Sequence, residues 1–177
     1  MVRVFIAVEP SAEIRGKVAE VQKALTGVGR LSLVSANLMH ITLKFLGEIP
    51  ESSLDNLKQA VDTLQSSPYT IDVSQVSTFG KPPRVIKAEV HDNNASADLA
   101  RKLDMVLSPL GYPKDAQKFS PHITIARIKE YSPDLAPKLA QIRDTAFGTS
   151  DISELLIKKS VLTPSGPIYT TIHRKSL

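Results

Sequence analysis

Apolar residues recur at helical spacing in four stretches: Ile14, Val18, Val21 and Leu25; Leu54, Leu57, Val61 and Leu64; Leu99, Leu103, Val106 and Leu110; Leu135, Leu139 and Ile142. Each predicts a helix that lays one stripe on a sheet. Ser11 after Pro10, Ser52 or Ser53 after Pro50, and Ser132 before Pro133 supply capping hydroxyls or a first-turn proline. Runs rich in β-branched residues at 2–9, 38–46, 69–79, 84–91, 121–128, 151–162 and 166–174 predict strands. Gly80-Lys81-Pro82-Pro83, Gly111-Tyr112-Pro113 and Pro164-Ser165-Gly166-Pro167 separate them with turn chemistry.

This order of elements occurs twice. Arg3-Val4 returns as Arg84-Val85 (84 − 3 = 81), and His40 returns as His122 (122 − 40 = 82), so two landmarks give nearly one period. The reading is a single two-lobed domain over 1–177, with an internal repeat of roughly 2–80 and 84–163 and a final strand at 166–174. Its class is α+β: two pseudo-symmetric lobes, each an antiparallel sheet with helices on the outside, facing across a central cleft. The final strand has no counterpart in the first repeat, which predicts that strands cross between the lobes.

Composition narrows the chemistry. A chain of 177 residues, 42% hydrophobic, can bury one core, and the absence of cysteine excludes disulfides, thiolate nucleophiles and cysteine-bound metals. The short apolar run at 2–8 reads as a strand rather than a leader, and nowhere do about 18 apolar residues run together. A soluble, cytoplasmic protein is expected. The net charge of +4 favours polyanions, but lysine and arginine are dispersed, so charge alone permits a nucleic-acid partner without selecting one.

The candidate chemistry lies in two motifs, His40-Ile41-Thr42-Leu43-Lys44-Phe45 and His122-Ile123-Thr124-Ile125-Ala126-Arg127. Strand alternation puts His40, Thr42 and Lys44 on one face, with Ile41, Leu43 and Phe45 on the other. His122 and Thr124 likewise share a face, from which Arg127 points away unless a bulge intervenes. One strand histidine is ordinarily a surface residue. Two matched copies, related by an approximate twofold axis, would stand on opposite walls of one cleft. That suits phosphoryl chemistry, where in-line attack needs a base on one side of phosphorus and an acid on the other. The threonine hydroxyls, with Lys44 or Arg127, would donate to the non-bridging oxygens, and no metal is required.

With these motifs, Arg3-Val4-Phe5-Ile6-Ala7, Phe79-Gly80-Lys81-Pro82-Pro83-Arg84-Val85, Pro121 and Gly166-Pro167-Ile168-Tyr169, the chain resembles the two-histidine phosphoesterases. Within them it is similar to the LigT-like RNA 2′,3′-cyclic phosphodiesterases, also called 2′-5′ RNA ligases. The resemblance implies hydrolysis of RNA or tRNA-fragment ends carrying a 2′,3′-cyclic phosphate to 2′-phosphomonoesters, with reverse 2′-5′ ligation as a weaker activity. It implies a catalytic set of His40, Thr42, His122 and Thr124, with Arg127 holding the phosphate or RNA end and Phe5 stacking on a base. No cofactor or metal is expected. His40 is assigned as acid and His122 as base by convention, since pseudo-symmetry makes them nearly interchangeable. A monomer is expected because the fold contains its own twofold.

His91 and His173 lack the Ile-Thr context and read as structural or solvated. No HExxH and no GxxxxGK[ST] loop occur, so neither a zinc protease site nor an ATP-driven ligase is supported. Two other functions share the motifs: a phosphodiesterase acting on a small cyclic phosphate or a 2′-5′ oligonucleotide, and a non-catalytic RNA-end binding module. The paired histidines weigh against the module, because phosphate binding alone would tolerate lysine or arginine there.

Overall fold

In the computed structural model, which describes residues 1–177, helix α1 (Ala12–Ala24) starts where the sequence supplies a cap. Ser11 Oγ accepts from the Ile14 amide at 3.4 Å, and Ile14, Val18 and Val21 form the buried stripe. The strand β1 (Val2–Val8) precedes it, and β2 (Arg30–Leu33) and β3 (Ile41–Ile49) follow. Helix α2 (Leu54–Asp62) then leads to β4 (Tyr69–Phe79) and β5 (Val85–His91). The chain continues through α3 (Ala95–Leu107), β6 (His122–Glu130), α4 (Leu135–Ile142), β7 (Ala146–Ile152), β8 (Glu154–Thr163) and β9 (Gly166–Ser176). In the turn between β4 and β5, Gly80 has φ +100°, and a Cβ there would come within 3.0 Å of the Pro82 carbonyl, so the turn requires glycine.

All strand pairs are antiparallel, in a four-stranded sheet ordered β3-β1-β8-β9 and a five-stranded sheet ordered β2-β6-β5-β4-β7. Strands therefore cross between the lobes as expected: β2 and β4 join the second sheet, while β8 and β9 return to the first. Two of the four helices cross as well, α1 to the second sheet and α3 to the first. Helix α1 packs on β6 and β7, and α4 on β4, whereas α3 packs on β3 and on α2. These exchanges draw 33 buried hydrophobic residues into one cluster, in which side chains such as Ile6, Ile14, Leu57 and Leu99 are fully enclosed. Each such side chain contributes about 1.5–3 kcal/mol by leaving water.

Two elements differ from the sequence reading. Strand β2 was not foreseen, because its four residues are half-buried at most and hold an edge position beside β6. The run read as one strand at 151–162 is two, β7 ending at Ile152 and β8 starting at Glu154 in the other sheet. Hydrophobic pattern continues across this break, so nothing local marks the change of sheet. No helix is long and apolar enough to cross a membrane.

Candidate active site

His40 stands immediately before β3 and His122 opens β6, each at the entrance of its strand. Each ring meets the carbonyl two residues earlier: His40 Nδ1 lies 2.7 Å from the Leu38 oxygen, and His122 Nδ1 lies 2.9 Å from the Ser120 oxygen. A carbonyl only accepts, so each contact places a proton on Nδ1 and leaves Nε2 as the lone-pair atom of the neutral ring. The rings are near enough that charge on His122 bears on His40, and β3 and β6 are in contact. Thr42 and Thr124 follow at half-buried positions.

Just past each threonine both ladders slip by one residue. Thr42 pairs with Ala7 and Lys44 with Ile6, leaving Leu43 unpaired; Thr124 pairs with Lys87 and Ala126 with Ile86, leaving Ile125 unpaired. Ile125 follows Leu43 by the motif period (125 − 43 = 82). A one-residue bulge reverses the faces beyond it. Lys44 is thereby turned away from His40 and Thr42, contrary to simple alternation. It is 2% exposed, with Nζ 2.5 Å from Asp104 on α3 and 2.8 Å from the Pro113 carbonyl. Phe45 turns outward instead and is 66% exposed. In β6 the same shift buries Ala126 and brings Arg127, which is exposed, back into phase with His122 and Thr124.

Phe5 is also not where the sequence reading put it. At 3% exposure it has no free face for a base. Its ring centroid lies 4.8 Å from that of His40, 4.9 Å from Tyr169 and 6.1 Å from Phe45, so it backs the histidine. Tyr169 meets the His40 ring edge-on at 5.4 Å. Neither of the other histidines joins the pair: His91 is exposed at the end of β5, and His173 Nε2 lies 2.7 Å from Asp62. Nor do any three His, Cys, Asp or Glu side chains come together as a metal site.

The model of the LigT-like phosphoesterase family matches residues 8–87 and again 90–169. The chain belongs to this family. An RNA 2′,3′-cyclic phosphodiesterase of Archaeoglobus fulgidus is 33% identical over 169 residues, 94% of this chain and 96% of that one. One of Thermotoga maritima is 33% identical over 178 residues, 97% of this chain and 93% of that one. The crystal structure of a Thermus thermophilus protein superposes with a TM-score of 0.86 at 27% identity, covering 99% of this chain and 97% of that one. Escherichia coli LigT in complex with 3′-AMP has the same fold, with a TM-score of 0.82 at 21% identity, 99% of this chain and 98% of that one being covered.

In this LigT-like phosphoesterase, each histidine has a buried lysine paired with a half-buried glutamate nearby, and neither pair was expected from the sequence. Beside His40, Glu9 is bonded by Lys158 of β8 and by Arg15 at 2.9 Å. Burial alone would raise the Glu9 carboxyl, but the hydrogen bonds from Lys158 and Arg15 outweigh it and hold the pKa below its ordinary value. Opposite His122 across the ladder, Glu89 accepts from Ser77 and pairs with Lys87 at 3.0 Å. Burial again acts upward on Glu89, and Ser77 and Lys87 overcome it to bring the carboxyl down. Burial pushes the His40 pKa below its usual value; the Lys158 charge adds to this, and the Leu38 carbonyl and Glu9 oppose it. The repeat carried a signal for Glu9 and Glu89, which stand near the ends of matching strands. Tyr169 and Lys158 carried none, because only the return of β8 and β9 brings them to His40.

Proposed function

We propose that this LigT-like phosphoesterase hydrolyses RNA 2′,3′-cyclic phosphate ends to 2′-phosphomonoesters by general acid–base catalysis between His40 and His122. The observation that carries this is the matched pair itself: two rings near enough for the charge of one to bear on the other, each held at Nδ1 by the carbonyl two residues back and each with a threonine two residues on. The names of the full-length relatives support the substrate class. Water attacks phosphorus and gives a proton to one Nε2; the P–O3′ bond breaks, and the other ring, protonated, supplies the proton to the departing 3′ oxygen. Burial favours the neutral ring of His40. With a 5′ hydroxyl in place of water, the reverse reaction forms a 2′-5′ linkage with the roles exchanged.

Thr42 and Thr124 donate to the non-bridging oxygens, where charge builds up, Arg127 holds the phosphate in ground state and transition state alike, and this chemistry calls on no metal. The exposed face of Phe45, with Tyr169 beside the histidine, receives the terminal base in place of Phe5. That ledge favours a nucleotide over a small cyclic phosphate. Residues 2–80 and 84–163 are two copies of one unit; the 82-residue spacing and the family's two matches support this. The enzyme works as a cytoplasmic monomer.

The reading is tested with a short RNA ending in a 2′,3′-cyclic phosphate, with EDTA present. A 2′-phosphate product is expected, with turnover several-fold better than for a cyclic phosphate lacking a base. A 3′-phosphate product, or binding without turnover, would replace it with another regiochemistry or with the binding-module alternative.

A further inference from the structure

Two polar side chains on the helices, Gln22 buried and Asp104 half-buried, reach the two bulged segments. On α1, Gln22 sits among Val18, Val21 and Leu25, 8% exposed, with Nε2 2.9 Å from the Ile125 carbonyl and 2.7 Å from that of Val34. Both partners are carbonyls, so the amide must present its nitrogen to them. Ile125 is the unpaired residue of the β6 bulge, and its oxygen also accepts from the Val34 amide at 3.0 Å. On α3, Asp104 accepts from Lys44, the residue the β3 bulge turns inward. Asp104 follows Gln22 by the motif period (104 − 22 = 82). Each helix belongs to one half of the chain and holds the bulge in the other half.

We infer that Gln22 and Asp104 are positioning residues, which fix the two bulges and thereby aim Arg127 and Phe45 into the cleft. A bulge takes backbone groups out of the ladder, and here Gln22 serves two of them, filling the second lone pair of the Ile125 carbonyl and donating to the Val34 carbonyl. A helix position otherwise suited to leucine is given over to an amide that donates to the bulged carbonyl. The competing arrangement is the regular ladder, in which every residue beyond the threonine changes face. Loosening a brace therefore disturbs the residue five places after the histidine while leaving the histidine, whose ring is held separately by its own carbonyl, in place.

The inference rests on the proposed cyclic phosphodiesterase reading for its catalytic readout, and hydrogen exchange supplies one that does not. In Gln22→Met, which keeps length but cannot donate, the Val34 amide should exchange about tenfold faster while β1 amides keep their rates. KM for the cyclic-phosphate RNA should rise about tenfold with kcat little changed. The KM effect should vanish when Arg127 is already alanine and persist when Phe45 is alanine. If Gln22→Met does not fold, the cycle of Asp104→Asn with Phe45→Ala decides the matter on the other wall. Unchanged Val34 exchange, or a Gln22 effect that simply multiplies with that of Arg127→Ala, would overturn the inference. Absence of turnover in the unsubstituted protein with faster Val34 exchange in Gln22→Met would instead sink the functional reading and leave the brace standing.

Discussion

The wall around His40 adds aromatic rings to its lysine–glutamate pair, and the wall around His122 adds an arginine to its own. Phe5, Tyr169 and Phe45 gather at His40, which burial keeps toward its neutral form. Lys87, Glu89 and Arg127 occupy the matching strands around His122. The backbone device is the same on both sides: a carbonyl two residues before the histidine, a threonine two residues after it, then a bulge. Phe45 and Arg127 thus hold equivalent places (127 − 45 = 82) with opposite chemistry. On the proposed mechanism, the groups that move protons are kept twice, while the fifth position after each histidine divides recognition between base and phosphate.

The largest expected effect treats the walls as equals. His40→Ala and His122→Ala should each lower kcat by about 10²–10⁴, with the double substitution little worse than either one. A difference of more than tenfold between them would show that one ring carries the chemistry alone. Thr42→Val and Thr124→Val should cost about 10²–10³ in kcat, again alike, if both hydroxyls meet the developing charge. The fifth positions should then part. Arg127→Ala should lower kcat/KM by about 10–100-fold and weaken its salt dependence, whatever the base. Phe45→Ala should lower it by about tenfold only for substrates that carry a base, because stacking is what is lost.

The smallest effect is on pH dependence. Because the folded pKa of Glu9 is depressed by Lys158 and Arg15 in spite of burial, its contribution to stability is complete above the unfolded value of about 4.3 and is lost as pH falls through the folded value. His40, also depressed, favours the folded state above about 6.5, and that preference fades as pH falls through its lower folded pKa. Thermal melts between pH 3 and 7 should show a shallower acid slope for Glu9→Gln than for the unsubstituted protein. An identical slope would show that this ion pair does not distinguish the folded from the unfolded chain.

The motif histidines and threonines were legible because a period-two strand pattern occurs twice at one spacing, and that repeat also gave the lobes. What escaped was set by pairing between distant strands. The bulges at Leu43 and Ile125 are invisible to alternation, and they exchanged the fates of Lys44 and Phe45. Phe5 lost its expected role because β9 returns to lay Tyr169 against it. Gln22 could have been noticed as the polar member of an apolar stripe, yet its partner lies 103 residues away.

The proposed chemistry makes the two rings an unlike pair, one taking a proton and the other giving one. A cyclic substrate with sulfur in place of the bridging 3′ oxygen tests it most directly, because a thiolate, the anion of an acid with pKa about 8.5, leaves without the protonation that an alkoxide needs. One of His40→Ala and His122→Ala should recover most of its lost rate on this substrate while the other does not. Equal recovery by both variants, or by neither, would contradict the pairing of one base with one acid.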